Sequence, residues 1–153
     1  MNQLLSEISI KTQGEGFTDI TSNINNWIKD NEINQGIIVI STKHTSCSLI
    51  INENADPKVL KDLSAYMNAL VPEEEFAAIN RKGNIQYYLH SEEGPDDMPA
   101  HIKTTLTSTS LSLSINDRSL VLGTWQAVYL WEHRYLGNSR KINLHAIGSF
   151  KAI

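Results

Sequence analysis

Three histidines lie beside polar segments of the sequence and could together hold a metal ion. His44 follows an isoleucine-rich stretch, His90 follows an apolar segment that ends at Leu89, and His101 follows an acidic loop. Neutral imidazole is the commonest protein ligand for zinc-like ions, and three protein ligands plus an open position form a catalytic site. The alternative is three unrelated structural histidines, because the three lack the i, i+4 spacing of a helical metal motif. The spacing alone leaves both interpretations open.

Two adjacent carboxylates, Asp96 and Asp97, lie just ahead of His101. In an extended chain neighbouring side chains point apart, so these two cannot share a proton directly. We expect one of them to cap a helix that begins near Met98 or Pro99. The other is a candidate to orient a histidine or a metal-bound water.

The single cysteine, Cys47, is three residues after His44 and invites comparison with a thiol nucleophile. If a strand continues through this segment, its two-residue period places His44, Ser46 and Ser48 on one face and Cys47 on the other. The cysteine then belongs to the core, and no nucleophilic role is expected for it.

The segment that begins at Gly123 is predicted to be a turn that enters a strand. Trp125 either fills the core or stacks on a flat ligand whose edge Gln126 binds. Glu132 would lie about 20 Å farther along a continuous strand, so Gln126 and Glu132 cannot flank one small ligand within a single chain. Near the C-terminus Arg140, in a cluster with Ser139 and Lys141, is either part of a solvated surface or a phosphate ligand.

Apolar periodicity predicts the elements that position these side chains. Residues 37–40 are expected to form a fully buried strand, and Asp56-Pro57 is expected to start a helix that ends before Pro72. A helix from about Ala100 to Thr107 should follow a loop over 90–99, and Asn116-Asp117 is the predicted turn of a hairpin. Other elements are predicted as a helix over 20–28 capped by Thr18 or Asp19, and as strands near 8–10, 48–51, 86–89, 111–115, 119–122, 127–132 and 141–147. This order favours an α+β fold, a largely antiparallel, sandwich-like sheet with a few helices packed on it.

Composition narrows the class of protein. The 153 residues fit a single domain, 1–153, and the formal net charge of −4 gives no long-range attraction for nucleic acid or an anionic membrane. One cysteine excludes an internal disulfide and a cysteine-based zinc cage. The sequence shows neither a secretory leader nor an apolar run long enough to span a bilayer, so a cytoplasmic location is expected.

Several of these motifs, taken in order, resemble the YjbQ family, whose name is linked to secondary thiamine-phosphate synthase activity. The matching segments are His44-Thr45-Ser46, Asn52 to Pro57, Gly94 to Lys103, Leu122 to Gln126 and Glu132-His133-Arg134. With the N-terminal strand and helix also fitting, the resemblance extends over essentially the whole chain.

The resemblance implies a homotrimer with sites near subunit boundaries and a divalent metal, expected to be zinc, bound by His44, His90 and His101. It implies a weak thiamine-phosphate synthase activity on small phosphorylated molecules, which joins a pyrimidine diphosphate to a thiazole phosphate and releases pyrophosphate. The polar site residues that it indicates are Asp96, Asp97, Glu132 and Arg140, and we add Ser46, Trp125 and Gln126 as ligand-binding candidates. The alternatives are a metal-dependent hydrolase of a small phosphate or amide, with Asp97 or Glu132 holding the water, and a non-catalytic trimer that binds a metal or small ligand.

Overall fold

The computed structural model describes residues 2–77 and 82–150. Within these residues the chain forms three helices and ten strands, an α+β arrangement. The helices are α1 (Thr21–Asp30), α2 (Pro57–Leu70) and α3 (Asp97–Leu106). The strands are β1 (Asn2–Lys11), β2 (Gly16–Asp19), β3 (Ile33–Thr42), β4 (Cys47–Glu53), β5 (Glu75–Ala77), β6 (Ile85–Tyr87), β7 (Ser110–Asn116), β8 (Ser119–Leu120), β9 (Gln126–Glu132) and β10 (Ser139–Phe150).

The strands form antiparallel sheets, as the sequence predicted. A five-stranded sheet has the order β1-β10-β3-β7-β8, and a three-stranded sheet has the order β2-β9-β4. β5 and β6 pair separately as a short hairpin. A continuous apolar core joins both larger sheets and α1, with Leu144 contributed by the first sheet, Leu130 by the second and Ile24 by the helix.

The strand expected to be buried along its whole length is buried on one face only. Ile38 and Ile40 have no exposed surface, whereas Ile37 is 58% exposed and Val39 is 37% exposed. β3 lies between β10 and β7, so its backbone is fully paired, but only one side of this sheet packs on the core. The prediction of a strand was therefore correct, and the prediction that both faces are buried was wrong.

The helices differ from expectation mainly at their ends. Asp56 caps α2 as predicted, since its Oδ1 accepts a hydrogen bond from the Lys58 amide at 2.9 Å. Asp19 lies ahead of α1 and accepts from the Thr21 amide, although the residue at the N-cap position is Ile20. The third helix begins at Asp97, three residues earlier than predicted.

The hairpin between β7 and β8 turns one residue later than predicted. Asp117 and Arg118 both have positive φ angles, 50° and 58°, which is the geometry of a two-residue type I′ turn. Asn116 pairs with Ser119 as the closing residue of the strands. None of the helices within residues 2–77 and 82–150 is long and apolar enough to cross a bilayer.

Candidate metal centre and adjoining cavity

The early start of α3 brings two possible metal ligands together. Asp97 opens the helix and His101 lies one turn later, so both side chains project from the same helix face. His90 approaches from the loop after β6, and the ligand atoms of these three residues all lie within 4.8 Å of one another. The i, i+4 spacing of Asp97 and His101 is a sequence signal that was missed because the helix was expected to begin at Ala100.

Hydrogen bonding fixes the ring of His101 in an orientation suited to a metal. Its Nδ1 lies 2.8 Å from the carbonyl oxygen of Thr45. A carbonyl oxygen can only accept, so Nδ1 carries the proton, and in the neutral ring Nε2 keeps its lone pair. This Nε2 lies 3.5 Å from Asp97 Oδ1. A backbone carbonyl that holds the far nitrogen of a histidine is a common feature around bound metals.

Asp97 supplies the strongest sign that an ion fits. Its side chain is only 3% exposed, and Oδ2 lies 2.8 Å from His90 Nε2 without the alignment of a hydrogen bond. A buried carboxylate oxygen left without a donor is costly, so native structures rarely contain one. Ligands of one zinc ion lie roughly 3 to 3.5 Å apart when each is about 2.0–2.1 Å from it. The two distances from the histidines to Asp97, 2.8 Å and 3.5 Å, lie near this range, so the His-His-carboxylate set is compatible with a divalent cation.

His44, the third predicted ligand, is placed differently. Its Nε2 lies 2.9 Å from the backbone nitrogen of Lys141 and accepts a hydrogen bond from it. Burial lowers the pKa of His44, which keeps the ring neutral. The described residues therefore give the ligand group His90, Asp97 and His101, with Asp97 in the place that the sequence analysis gave to His44.

Asp96 binds the segment after β9 instead of capping α3. It occupies the N-cap position, but its side chain makes no capping hydrogen bond. Its Oδ2 accepts from Arg134 Nε at 3.0 Å and from the Tyr135 amide at 2.8 Å. Arg134 also donates from Nη1 to Asp97 Oδ1 at 2.5 Å, so one guanidinium joins both carboxylates. The predicted capping role was wrong because Arg134 offers these acids charged donors.

Glu132 and Arg140 form a buried ion pair behind the centre. Arg140 donates from Nε to Glu132 Oε2 at 2.7 Å and from Nη2 to Oε1 at 2.5 Å. Glu132 has no exposed surface and also accepts from the Thr12 hydroxyl and from the His133 and Arg134 amides. With five donors on its two oxygens, this carboxylate is saturated and serves to position Arg140.

A cavity of about 520 Å³ adjoins the candidate metal centre. Arg134 and Arg140 both line it, together with Ser46, Glu93, Asp96, Tyr135, Leu136 and Asn138. The Ser46 hydroxyl accepts from Arg140 Nη2 at 3.0 Å. Three predicted site residues, Ser46, Asp96 and Arg140, thus share one cavity, and Arg134 connects it to Asp97.

Trp125 and Gln126 lie away from this group. They stand at the start of β9 and Glu132 stands at its end, which agrees with the separation expected from the sequence. Trp125 does not fill the core, since it is 65% exposed. The Gln126 side-chain oxygen accepts from the Gly123 amide at 2.8 Å and closes the turn.

Cys47 lies in the core, where the strand period placed it. It has no exposed surface, and burial raises the pKa of its thiol, so the thiolate is disfavoured. Ser48, on the other face of β4, is also buried and lies 2.9 Å from His133 Nε2. Burial lowers the pKa of His133 to about 3, so this histidine is neutral.

These features define a small α+β protein with a candidate His-His-Asp metal centre beside an arginine-lined cavity. The model of the family described as UPF0047 protein YjbQ-like matches residues 6–149. The chain therefore belongs to the YjbQ family, as its motifs indicated.

Relatives and solved structures agree with this assignment. The chain is 42% identical to a UPF0047 protein of Synechocystis over 139 residues, which are 91% of this chain and 88% of the relative. It is 38% identical to UPF0047 protein YjbQ of Escherichia coli O157:H7 over 136 residues, 88% and 91% of the two chains. A YjbQ/UPF0047 crystal structure from Clostridium acetobutylicum superposes with a TM-score of 0.74 at 29% identity, covering 93% of this chain and 99% of that one. A Sulfolobus solfataricus structure has a TM-score of 0.78 at 18% identity, covers 97% and 100% of the two chains, and shows the fold alone.

Proposed function

We propose that the chain is a metal-dependent enzyme that acts on a small phosphorylated molecule, with zinc as the expected ion. The observation that carries the proposal is that the ligand atoms of His90, Asp97 and His101 lie within 4.8 Å of one another, around a buried Asp97 oxygen that makes no hydrogen bond. His90 is 55% exposed and His101 is 31% exposed, so solvent reaches the group from one side. An exposed side leaves room for a substrate oxygen, as catalytic sites require.

The residues around the cavity favour a transfer that releases an anionic leaving group. Asp97 belongs to the candidate ligand set, and Glu132 is saturated with donors, so neither is poised as a free general base. Arg134 and Arg140 instead place positive charge on the cavity wall. When bound, a divalent cation would neutralise charge on the leaving oxygens. This arrangement supports the synthase reaction, with loss of pyrophosphate, better than hydrolysis through a carboxylate-held water.

The role of each side chain then follows from its position. His90, Asp97 and His101 hold the ion, and Thr45 orients His101. Arg140, fixed by Glu132, binds phosphate oxygens of the substrate from within the cavity. Stacking of a substrate ring on Trp125 would require a neighbouring subunit, because Trp125 lies at the far end of β9.

The test combines metal content with turnover. We expect protein purified without chelator to contain about one zinc per chain, and His90→Ala and His101→Ala to lose it. His145→Ala is the matched control, since His145 lies on β10 with Gln3 as its neighbour. His44→Ala distinguishes the two ligand sets. The protein should keep its metal if Asp97 is the third ligand, and should lose it if His44 is.

Turnover is measured with the pyrimidine diphosphate and the thiazole phosphate, before and after chelation. Pyrophosphate release that stops with chelator and returns with zinc supports the proposal. Full metal in His101→Ala would reject the site. Metal binding with no turnover of these or other phosphorylated substrates would favour the non-catalytic alternative.

A further inference from the structure

Charged residues of the centre and the cavity are unevenly balanced. Among residues 2–77 and 82–150, Glu93, Asp96, Asp97 and Glu132 form their arginine ion pairs with two guanidinium groups, those of Arg134 and Arg140. With neutral histidines this group carries two net negative charges. The charged side chains that line the cavity balance, with Glu93 and Asp96 against Arg134 and Arg140, and the two negative charges come from the buried neighbours Asp97 and Glu132. These buried carboxylates weaken the attraction of the two arginines for a phosphate oxygen that enters the cavity.

Arg134 is the physical link between the two halves of the site. Its Nη1 donates to Asp97 Oδ1 at 2.5 Å, its Nε donates to Asp96, and its Nη2 donates to the Glu93 carbonyl at 2.9 Å. Its charge is thus balanced by Asp96 together with Asp97, the carboxylate that also belongs to the candidate metal centre. Any cation that binds Asp97 competes for the same negative charge and makes Arg134 more attractive to an anion.

Arg140 offers the cavity a fixed donor. Glu132 and Ser46 engage its Nε and Nη2, whereas Nη1 has no acceptor among the described residues and is not a fully buried atom. The Glu132 carboxylate holds the guanidinium in place, so little freedom is lost when Nη1 binds an oxygen.

We propose that the centre and the cavity are one linked site, in which a divalent cation and a phosphate-class oxyanion bind cooperatively and Arg134 transmits the coupling. This inference rests on the metal site of the proposed function. A divalent cation bound at Asp97 brings the charge of the group from two negative charges to zero, which favours entry of an anion into the cavity. By linkage, the anion tightens the cation by the same factor.

The experiment measures zinc affinity by competition with a chromophoric chelator at constant pH and ionic strength. It is done with chloride alone and then with millimolar inorganic phosphate or pyrophosphate, and the free zinc reported by the chelator corrects for complexation in solution. We expect the oxyanion to tighten zinc by at least about fivefold, within the usual range of coupling between sites. Calorimetry with phosphate should show binding to zinc-loaded protein and none to chelator-treated protein.

Variants of Arg134 test the route of the coupling. Arg134→Gln removes a cation next to Asp97, so zinc without phosphate should bind as tightly as in the wild type or tighter, while the effect of phosphate should be much smaller than in the wild type. Arg134→Lys keeps the charge and should retain part of the effect. Arg118→Gln, in the β7–β8 turn, is the matched control and should retain all of it.

The outcomes separate this inference from the proposed function. Zinc that binds with an affinity independent of phosphate would overturn the coupling and leave the metal centre intact. Full coupling in Arg134→Gln would overturn the role of Arg134. A wild-type protein that binds no zinc would overturn both proposals. If Arg134→Gln does not fold, the coupling is tested by the wild type with and without phosphate, and the role of Arg134 by Arg134→Lys.

Discussion

The role of each buried carboxylate in this protein depends more on the hydrogen-bond donors around it than on its residue type. Asp96 and Asp97 are neighbours in sequence, but Asp96 Oδ2 accepts from both Arg134 and the Tyr135 amide, whereas Asp97 keeps one buried oxygen that makes no hydrogen bond. Glu132 and Asp97 are both buried carboxylates, but both oxygens of Glu132 accept hydrogen bonds, whereas one oxygen of Asp97 does not. The residue whose buried oxygen makes no hydrogen bond is the one that we propose as a metal ligand.

His133 gives a pH dependence whose sign follows from its burial. Burial lowers its pKa to about 3, so the unfolded chain takes up a proton below about pH 6.5 while the folded chain does not. Its contribution to stability is therefore full above pH 6.5 and is lost as the pH falls toward 3.

We expect the unfolding free energy of chelator-treated protein to decrease as the pH falls from about 6.5 toward 3. This residue should contribute a slope of up to about 1.4 kcal/mol per pH unit. His133→Gln should show a shallower slope than the wild type in denaturant titrations, and His145→Gln should keep the wild-type slope. Equal slopes in all three proteins would contradict the assignment.

Cys47 is expected to be dispensable for chemistry. Cys47→Ser buries a hydroxyl among apolar neighbours and should cost about 1 kcal/mol of stability, partly offset because Thr42 Oγ1 lies 3.2 Å from the sulfur position. Zinc content and turnover should stay at wild-type levels. A folded variant with normal zinc but no turnover would show that the thiol takes part in the reaction.

At the scale of elements, the start of α3 decides the composition of the candidate centre. A helix that begins at Ala100 would leave Asp97 in a loop, whereas the observed start at Asp97 puts it one turn from His101. His90 depends on the loop between β6 and α3, and the carbonyl of Thr45, just ahead of β4, orients His101. Two elements, α3 and the loop before it, therefore supply the ligands, and the segment before β4 orients one of them.

The cap of α2 is a second feature at this scale, and it can be tested with a matched pair. Asp56 accepts from the Lys58 amide, so Asp56→Ala should lower the free energy of unfolding by about 1 kcal/mol. Asp62, exposed in the middle of the same helix, serves as the control. Urea denaturation that gives equal losses for Asp56→Ala and Asp62→Ala would show that the hydrogen bond contributes nothing.

At the scale of the whole molecule, the outer face of the five-stranded sheet is unusually apolar. Leu5, Ile37, Val39 and Ile147 project from the side opposite the core and are 67%, 58%, 37% and 43% exposed in the single chain. The register places Ile147 beside Ile37, and Leu5 and Val39 flank His145 on β10. Contiguous apolar surface of this kind is typical of subunit contacts.

The homotrimer implied by the family resemblance stays a prediction, and this face offers a way to test it. Light scattering at micromolar concentration should give three times the 17.2 kDa chain mass. Ile37→Lys places a charge in the apolar face and should shift the mass toward the monomer, whereas Val121→Lys, at an exposed apolar residue after β8, should not. A monomer mass for the wild type would refute the trimer.

The sequence by itself determined the family, the α+β class and most elements. Periodicity is a local property, so it located α1, α2 and the strands that carry the core, and the motif around Asp56-Pro57 fixed a helix start through one hydrogen bond. The strand period also placed Cys47 in the core. His90 and His101 were singled out because they lie beside an acidic loop, and their role as metal ligands stays a prediction.

Only the tertiary structure decided which groups meet. Arg134 and Asp97 are 37 residues apart, and Arg140 and Ser46 are 94 apart, so no local pattern reports their contacts. His44 was predicted to bind the metal, but its Nε2 accepts a hydrogen bond from the backbone amide of Lys141 on β10. The sequence gives the type of each side chain, whereas residues distant in sequence determine whether its hydrogen-bonding atoms are already occupied.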